Sequence, residues 1–290
     1  VNVDDVLTLD TEELGALRSP VMLIALTGLF DIAGAASTAL DRFAPADASV
    51  TVAEIDPDPF YDFTQERPQV EMDEGEMRVI RWPENRFDVV RGLGGRDLVV
   101  LVGAEPHLYW RTYSNCVCTV VEALACEAVV TVGSSAEAVP HTRVPLVTAS
   151  TTDGELARRL GIGQPTYQGV TGMAGVLLAD LGAAGVPSVS LRVGVPHYLL
   201  NGEHPQAVAA LQTHLAHVLN VPAPADDGEL AGEIQRWRTL HDEVVDNDAQ
   251  LQLYVRMLEH EHDRRAEASI PSADDIGAQF EQYLRDQREG

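Results

Sequence analysis

Five short segments gather the residue types that move protons or hold anions. Gly28-Leu29-Phe30-Asp31, Gly103-Ala104-Glu105-Pro106, Gly133 to Arg143 (GSSAEAVPHTR), Tyr167 to Gly175 (YQGVTGMAG) and Val195 to Tyr198 (VPHY) each set Gly or Pro beside a polar side chain. They supply carboxylates at Asp31 and Glu105, imidazoles at His141 and His197, a guanidinium at Arg143 and hydroxyls at Ser134, Tyr167, Thr171 and Tyr198, with Gly28 at the first turn. Arg143 and free N–H groups at a helix start near Gly172 would hold an anion, and a neighbouring His or Glu would move a proton. Each residue also has a purely structural use. Glu105 can cap a helix starting near His107, Arg143 can pair with a carboxylate, and the imidazoles can bond loop carbonyls. Only convergence on one pocket separates the two readings.

Other patterns carry less. Gly92-Leu93-Gly94-Gly95 has dinucleotide-loop spacing but precedes a strand and opens no helix. His214 with His217, and Glu259-His260-Glu261-His262-Asp263, are metal-ligand types on stretches that read as acidic amphipathic helices, so solvated or core-facing faces are expected and no metal. Cys116, Cys118 and Cys126 fall within one helical stretch and read as free thiols.

The segments need a scaffold, and the apolar pattern supplies one. Val21 to Thr27 reads as a strand buried on both faces, followed by a small-residue helix from Asp31 to Phe43. Val50 to Glu54, Asp97 to Val102, Ala128 to Val132, Leu146 to Ala149 and Ser188 to Val193 continue as strands. Between them lie a helix striped by Tyr113, Val117, Val120 and Leu124, one capped by Asp153 and running to Leu160, and one from Gly172 to Ala184. Val70 to Met72 and Met77 to Trp82 read as a hairpin attached to the sheet around Asp73-Glu74-Gly75. The sum is an α/β fold: a three-layer α/β/α sandwich on a mostly parallel mixed sheet, with the five segments at the carboxyl ends of its strands.

After Pro222 the strand signal stops. Residues 1–222 form the α/β/α unit and 223–290 an all-helical extension with stripes at Leu230, Ile234, Trp237, His241 and Val244, at Leu251, Val255, Leu258 and His262, and at Ile276, Phe280 and Tyr283. Ser272, Asp274 and Asp275 read as the start of the third helix.

Composition removes several functions. The 290 residues carry 45 acidic and 20 basic groups, a formal charge of −25, and every basic one is Arg, since there is no Lys. P-loop, Schiff-base and protein-kinase chemistry all need a Lys. The negative charge disfavours nucleic acid and anionic membranes as partners. The longest apolar run, Val21 to Phe30, is half of the ~20 residues that span a bilayer, and the acidic start is unlike a signal peptide, so a cytoplasmic protein is expected.

The succession GLFDIAGAASTAL, DFTQERP, RWP, LVGAEPHLYW, VPHTR, YQGVTG, VPHY and LQLYVRMLEHEHDR resembles the bacterial, mainly actinobacterial, branch of the proteasome assembly chaperone family over nearly the whole chain. The resemblance implies a fold similar to purine nucleoside phosphorylases, a helical C-terminal extension and a homo-oligomer, a trimer among the options, without a cofactor. It implies a non-catalytic assembly or scaffolding protein whose partner is itself or a complex under assembly. The alternative is an enzyme acting on a nucleoside-like or anionic ligand. Family members that assist proteasome assembly often end in a hydrophobic-Tyr-any tail; the sequence here ends Asp286-Gln287-Arg288-Glu289-Gly290.

Overall fold

Nearly every apolar side chain of the central strands is buried, and this sets the layering. The computed structural model describes all residues except 13, 46, 74–76, 165–166, 201, 226–227, 268–276, 278–279, 283–284 and 286–290. In chain order the elements are α1 (Val3–Val6), β1 (Leu7–Leu9), β2 (Val21–Thr27), a 3-10 turn (Ile32–Gly34), α2 (Ala35–Asp41), β3 (Ser49–Ile55), β4 (Gln69–Asp73), β5 (Met77–Arg81), β6 (Asn85–Leu93) and β7 (Arg96–Ala104). Then come α3 (Trp110–Ala123), β8 (Ala128–Glu137), β9 (Val147–Ser150), α4 (Gly154–Leu160), α5 (Met173–Ala183), β10 (Ser188–Pro196), α6 (Pro205–Leu219), α7 (Glu229–Asp246) and α8 (Ala249–Glu267).

Eight strands form one mixed sheet in the order β1-β3-β6-β7-β2-β8-β10-β9. β7, β2, β8 and β10 are its parallel core, while β9 on one side and β6, β3 and β1 on the other pair antiparallel. In β2, Val21, Leu23 and Ala25 enter one core with α2, α4 and α6, whereas Met22, Ile24 and Leu26 enter a second core with α3 and α5. The period-two alternation of a strand thus feeds two separate cores, and the product is the expected α/β/α sandwich.

Local chemistry sets several boundaries. Asp153 Oδ1 accepts from the N–H groups of Glu155 (2.8 Å) and Leu156 (3.0 Å), capping α4, and Gly161 closes that helix with a left-handed φ of 63°. β6 and α6 are elements whose bounds the apolar pattern does not mark. β6 alternates only over Arg86 to Val89 before Val90 breaks the period, and α6 buries polar Gln206 and Gln212 along with its apolar residues, so neither shows a clean stripe.

The hairpin corrects one expectation. β4 and β5 pair with each other but not with the main sheet, forming a separate two-stranded sheet. The mixing comes instead from the β6–β7 hairpin, turned by Gly94-Gly95, which is the role of the Gly92-Leu93-Gly94-Gly95 segment. Glu74 and Gly75, the helix start at Ser272, Asp274 and Asp275, and Ile276 and Tyr283 of the third stripe lie outside the described residues, as does the terminal segment 286–290.

The C-terminal helices share a core with the sheet. Leu230 of α7 and Phe280 are buried in the same cluster as Leu211, Leu215 and Val218 of α6, and Val245, Val255 and Leu258 are also buried. At about 1.5–3 kcal/mol for each such side chain, deleting residues 224–290 should lower stability by several kcal/mol and leave an apolar face wet. Urea unfolding with light scattering checks this; an unchanged midpoint in a monodisperse truncated chain is the contrary result.

Candidate functional site

Because β2, β7, β8 and β10 are parallel, the loops that leave their carboxyl ends gather on one rim of the sheet. The residues singled out in the five segments lie on or beside that rim. Their contacts divide them into two groups rather than one.

The first group, Gly28, Asp31, Glu105, Tyr167 and Thr171, surrounds the starts of α2 and α5. Asp31 is buried and caps α2: its Oδ1 accepts from Ala36 N–H at 2.7 Å and its Oδ2 from the Ser37 hydroxyl at 2.6 Å. Glu105 Oε1 accepts from the N–H of Met173, the first residue of α5, at 2.5 Å. Glu105 therefore caps α5 and not a helix near His107, and the helix end expected to take a ligand anion receives a carboxylate from its own chain. Gly172 makes this possible, since a Cβ there would come within 2.7 Å of both Glu105 Oε1 and the Phe30 ring. Thr171 donates to the Gly172 carbonyl at 3.4 Å, and Tyr167 stands exposed at the rim.

The second group, His141, Arg143, His197 and Tyr198, is occupied by the C-terminal helices. Both Val-Pro-His turns are seams. His141 is buried; its Nδ1 lies 2.8 Å from the Tyr198 hydroxyl and its Nε2 3.2 Å from Asp242 of α7. His197 Nδ1 bonds the Glu137 carbonyl at 3.0 Å, and its Nε2 lies 3.2 Å from the Tyr254 hydroxyl of α8. Arg143 donates through Nε (2.9 Å) and a terminal nitrogen (3.0 Å) to the two Asp263 oxygens, and through the other terminal nitrogen to Glu259 at 3.0 Å. Thr142 donates to the same Glu259 oxygen at 2.5 Å. These bonds, Asp263 first, raise the Arg143 pKa, and the Arg143 hydrogen bond lowers that of Asp263. Burial lowers His141, against the raising effect of Asp242, and pushes Tyr198 up to about 12. The His141 imidazole and the Tyr198 phenol are thus favoured in their neutral forms, well suited to packing.

The remaining candidates are structural. Glu259, His262 and Asp263 of the Glu-His-Glu-His-Asp run touch Thr142, the Val144 carbonyl and Arg143, and no group of metal-ligand type is found among the described residues. His214 Nδ1 bonds the Ala210 carbonyl one turn back. All three cysteines are free, and burial pushes the Cys116 thiol up to about 11 and that of Cys126 to about 12, away from the thiolate form a nucleophile needs.

A cleft of about 740 Å³ opens between β10, β9 and α5, lined by Arg192, Ser190, Ser150 and Thr148 on the sheet and by Phe30, Tyr167, Thr171 and Leu178 around it. Its cation, Arg192, lies over the Phe30 ring at 4.7 Å. Sequence reasoning missed Arg192, although a signal exists. The run Ser188-Val189-Ser190-Leu191-Arg192-Val193 alternates polar and apolar, so one face of this strand is polar where a doubly buried strand would be apolar throughout.

His204, at the start of α6, is 1% exposed and stacks on Trp237 of α7 at 4.3 Å, and neither ring nitrogen has a hydrogen-bond partner among the described residues. Burial, with His241 and His141 nearby, lowers its pKa to about 4. The unfolded chain takes a proton near pH 6.5 that the folded chain refuses until about pH 4, so the folded advantage is complete above 6.5 and is lost as pH falls. The loss reaches about 3 kcal/mol for this one residue. His204→Leu should leave stability at pH 7.5 nearly unchanged and flatten its decline between pH 7 and 5, as read by urea midpoints across that range. An unaltered pH slope is the contrary result. For the seam, Arg143→Ala should raise amide exchange in residues 259–263 while leaving Val129 to Val132 protected.

Comparison with known proteins agrees with the fold. The family model described as PAC2 family matches residues 25–245. No curated protein matches significantly. Among solved structures, a PAC2 family protein of Streptomyces avermitilis is 35% identical, with a TM-score of 0.72 over 81% of this chain and 99% of its own. A proteasome-assembly chaperone homologue of Mycobacterium tuberculosis is 31% identical, with the same TM-score and the same shares of the two chains. A second M. tuberculosis protein, of unknown function, is 26% identical with a TM-score of 0.74 over 97% of this chain and 96% of its own. With the family model spanning most of its sheet, its rim and nearly all of α7, the chain belongs to the PAC2 family.

Proposed function

We propose that the protein is a non-catalytic assembly or scaffolding factor with a proteasome-type complex as its client. One observation carries the reading: His141, Arg143 and His197, the groups best suited to acid–base work, bind the chain's own α7 and α8, and Tyr198 bonds His141. Family membership and the likeness to the M. tuberculosis proteasome-assembly chaperone homologue support it. In this reading residues 1–222 are the α/β/α platform and 223–290 the helices that adapt it. The enzyme alternative has the weaker support, because Glu105, the carboxylate at the rim, is engaged by Met173.

Self-association belongs to the same proposal. A two-stranded hairpin is marginal alone in water, and neither outer edge of the β4–β5 sheet pairs with another strand among the described residues. Val70, Met72 and Ile80 are each more than half exposed on it, with Trp82 at its base against Phe63. A second copy pairing hairpin to hairpin would satisfy the edges and cover this apolar face. Location in the cytoplasm follows from the client; no helix among the described residues is long and apolar enough to cross a membrane.

Mixing the purified protein with α-type and β-type proteasome subunits should speed the appearance of full-size particles on native mass spectrometry. Equal rates with and without it would sink the client assignment. Ile80→Asp should shift the protein itself to its monomer mass in analytical ultracentrifugation. A wild-type monomer would remove the self-association.

A further inference from the structure

The polar face of β10 does not stop at the strand. Register aligns Thr131 of β8, Ser190 of β10 and Ser150 of β9 in one row across the sheet, with Gly133, Arg192 and Thr148 in the next. Val130, Val132, Leu191 and Val193 point to the α2–α6 layer, so the two polar rows face the α5 layer, beside Ile24 and Leu26 of β2. A polar patch within an apolar core is costly unless its groups are bonded.

Thr131 is not bonded. It is 1% exposed, and its Oγ1 has no hydrogen-bond partner among the described residues. It lines a small recess of about 20 Å³ together with Glu105, Ser190, Arg192 and Phe30. The recess shares Phe30, Ala174, Ser190 and Arg192 with the 740 Å³ cleft, so it lies directly beneath the cleft, behind those side chains. Arg192 is exposed toward that cleft and pairs with no carboxylate among the described residues, in a chain with more than twice as many acidic as basic groups. The loop that makes the opposite wall is tightly placed: Phe30 O accepts from Ser134 N–H at 2.7 Å, and a Cβ on Gly133 would lie 2.9 Å from that oxygen. The Phe30 backbone is thereby held in place, with its ring 4.7 Å from the guanidinium.

We propose that this cleft binds a small organic anion, whose carboxylate or phosphate oxygens sit on Arg192 and whose apolar body lies along Phe30, Ala174 and Leu178, above the Thr131 hydroxyl. Arg192 offers the planar donor edge such oxygens need, and Thr131 offers a preformed donor and acceptor at the floor. The wall of Phe30, Ala174 and Leu178 gives the site a preference for an anion with an apolar part over a bare ion. This site is separate from the seam that carries the assembly reading, and it stands or falls without it.

The test uses the full chain with labelled Thr, Ala and Leu methyl groups, titrated with benzoate, phenyl phosphate, inorganic phosphate and neutral benzyl alcohol. Concentrations on the order of 10 mM suffice to occupy a site of millimolar affinity. Benzoate or phenyl phosphate should move the Thr131, Ala174 and Leu178 methyl signals saturably, and the one that does so identifies the oxygen group. Arg192→Gln should weaken that binding tenfold or more. Thr131→Val should also weaken it while leaving the unliganded melting temperature unchanged or higher, because an unbonded hydroxyl is replaced by a methyl of the same shape. The proposal is overturned if neither aromatic anion moves these signals, if inorganic phosphate or benzyl alcohol binds as well as they do, or if Arg192→Gln binds like the wild type. It is overturned equally if Thr131→Val lowers the melting temperature, which would mark the hydroxyl as bonded within the fold.

Discussion

Val21 to Leu26 are out of water on both faces of the sheet, and this burial of β2 is the constraint from which the rest of the architecture follows. A strand with no wet face must have helices on either side of it, and parallel neighbours can be reached only through crossovers. Helices therefore separate the parallel strands, α2 after β2, α3 between β7 and β8, and α4 and α5 before β10, and two cores fill in step with the odd and even residues of the central strands. The same geometry sends the ends of β2, β7, β8 and β10 to one rim. Every loop there begins beside an unpaired helix end or an unpaired strand end, and each needs a partner.

The chain meets most of those needs internally. Asp31 serves α2 and Glu105 serves α5, so two carboxylates spaced far apart in sequence each neutralise a helix start. At the other side of the rim the Val-Pro-His turns receive α7 and α8, helices rich in carboxylate. Arg143 is suited to this because its planar guanidinium takes both oxygens of Asp263 and one of Glu259 at once, which an ammonium could not do. The aromatic and imidazole stack of His141, His204, Trp237 and His241 lies just beneath. On the rim, Arg143 is thus covered by carboxylates of the chain's own helix, whereas Arg192 faces a cleft.

Much of the fold was legible beforehand because burial leaves a mark on each residue of a strand. The apolar pattern marks Val21–Thr27 with its observed bounds and places Ala128–Glu137 and Ser188–Pro196 by Ala128 to Val132 and Ser188 to Val193. It does not mark their ends, Gly133 to Glu137 and Gly194 to Pro196, since β8 and β10 pair on through Gly, Ser and Pro wherever the neighbour extends. The β4–β5 hairpin was seen as strands but joined to the wrong sheet. Edge pairing depends on where the hairpin is carried by the loops around it, and no local pattern records that.

The candidate site divides in the same way. Residue type by itself determined which groups could bond anions or protons: the absence of Lys, the position of Glu105 after a buried strand, and the His and Arg of the two similar turns are all properties of the linear chain. Which of those bonds would form was decided only by the fold. Asp242, Tyr254, Glu259 and Asp263 lie on helices a hundred or so residues beyond His141, or some sixty beyond His197, and they reach these turns because apolar stripes dock α7 and α8 on the sheet layer. Thr131 and Arg192 became neighbours of one cleft through strand register, which is set by pairing between chain segments far apart and leaves no trace in the spacing of either. A sequence specifies what each side chain can do; the tertiary structure specifies which partner it meets, because hydrogen bonds and ion pairs act over a few ångströms and only packing brings distant residues within that range.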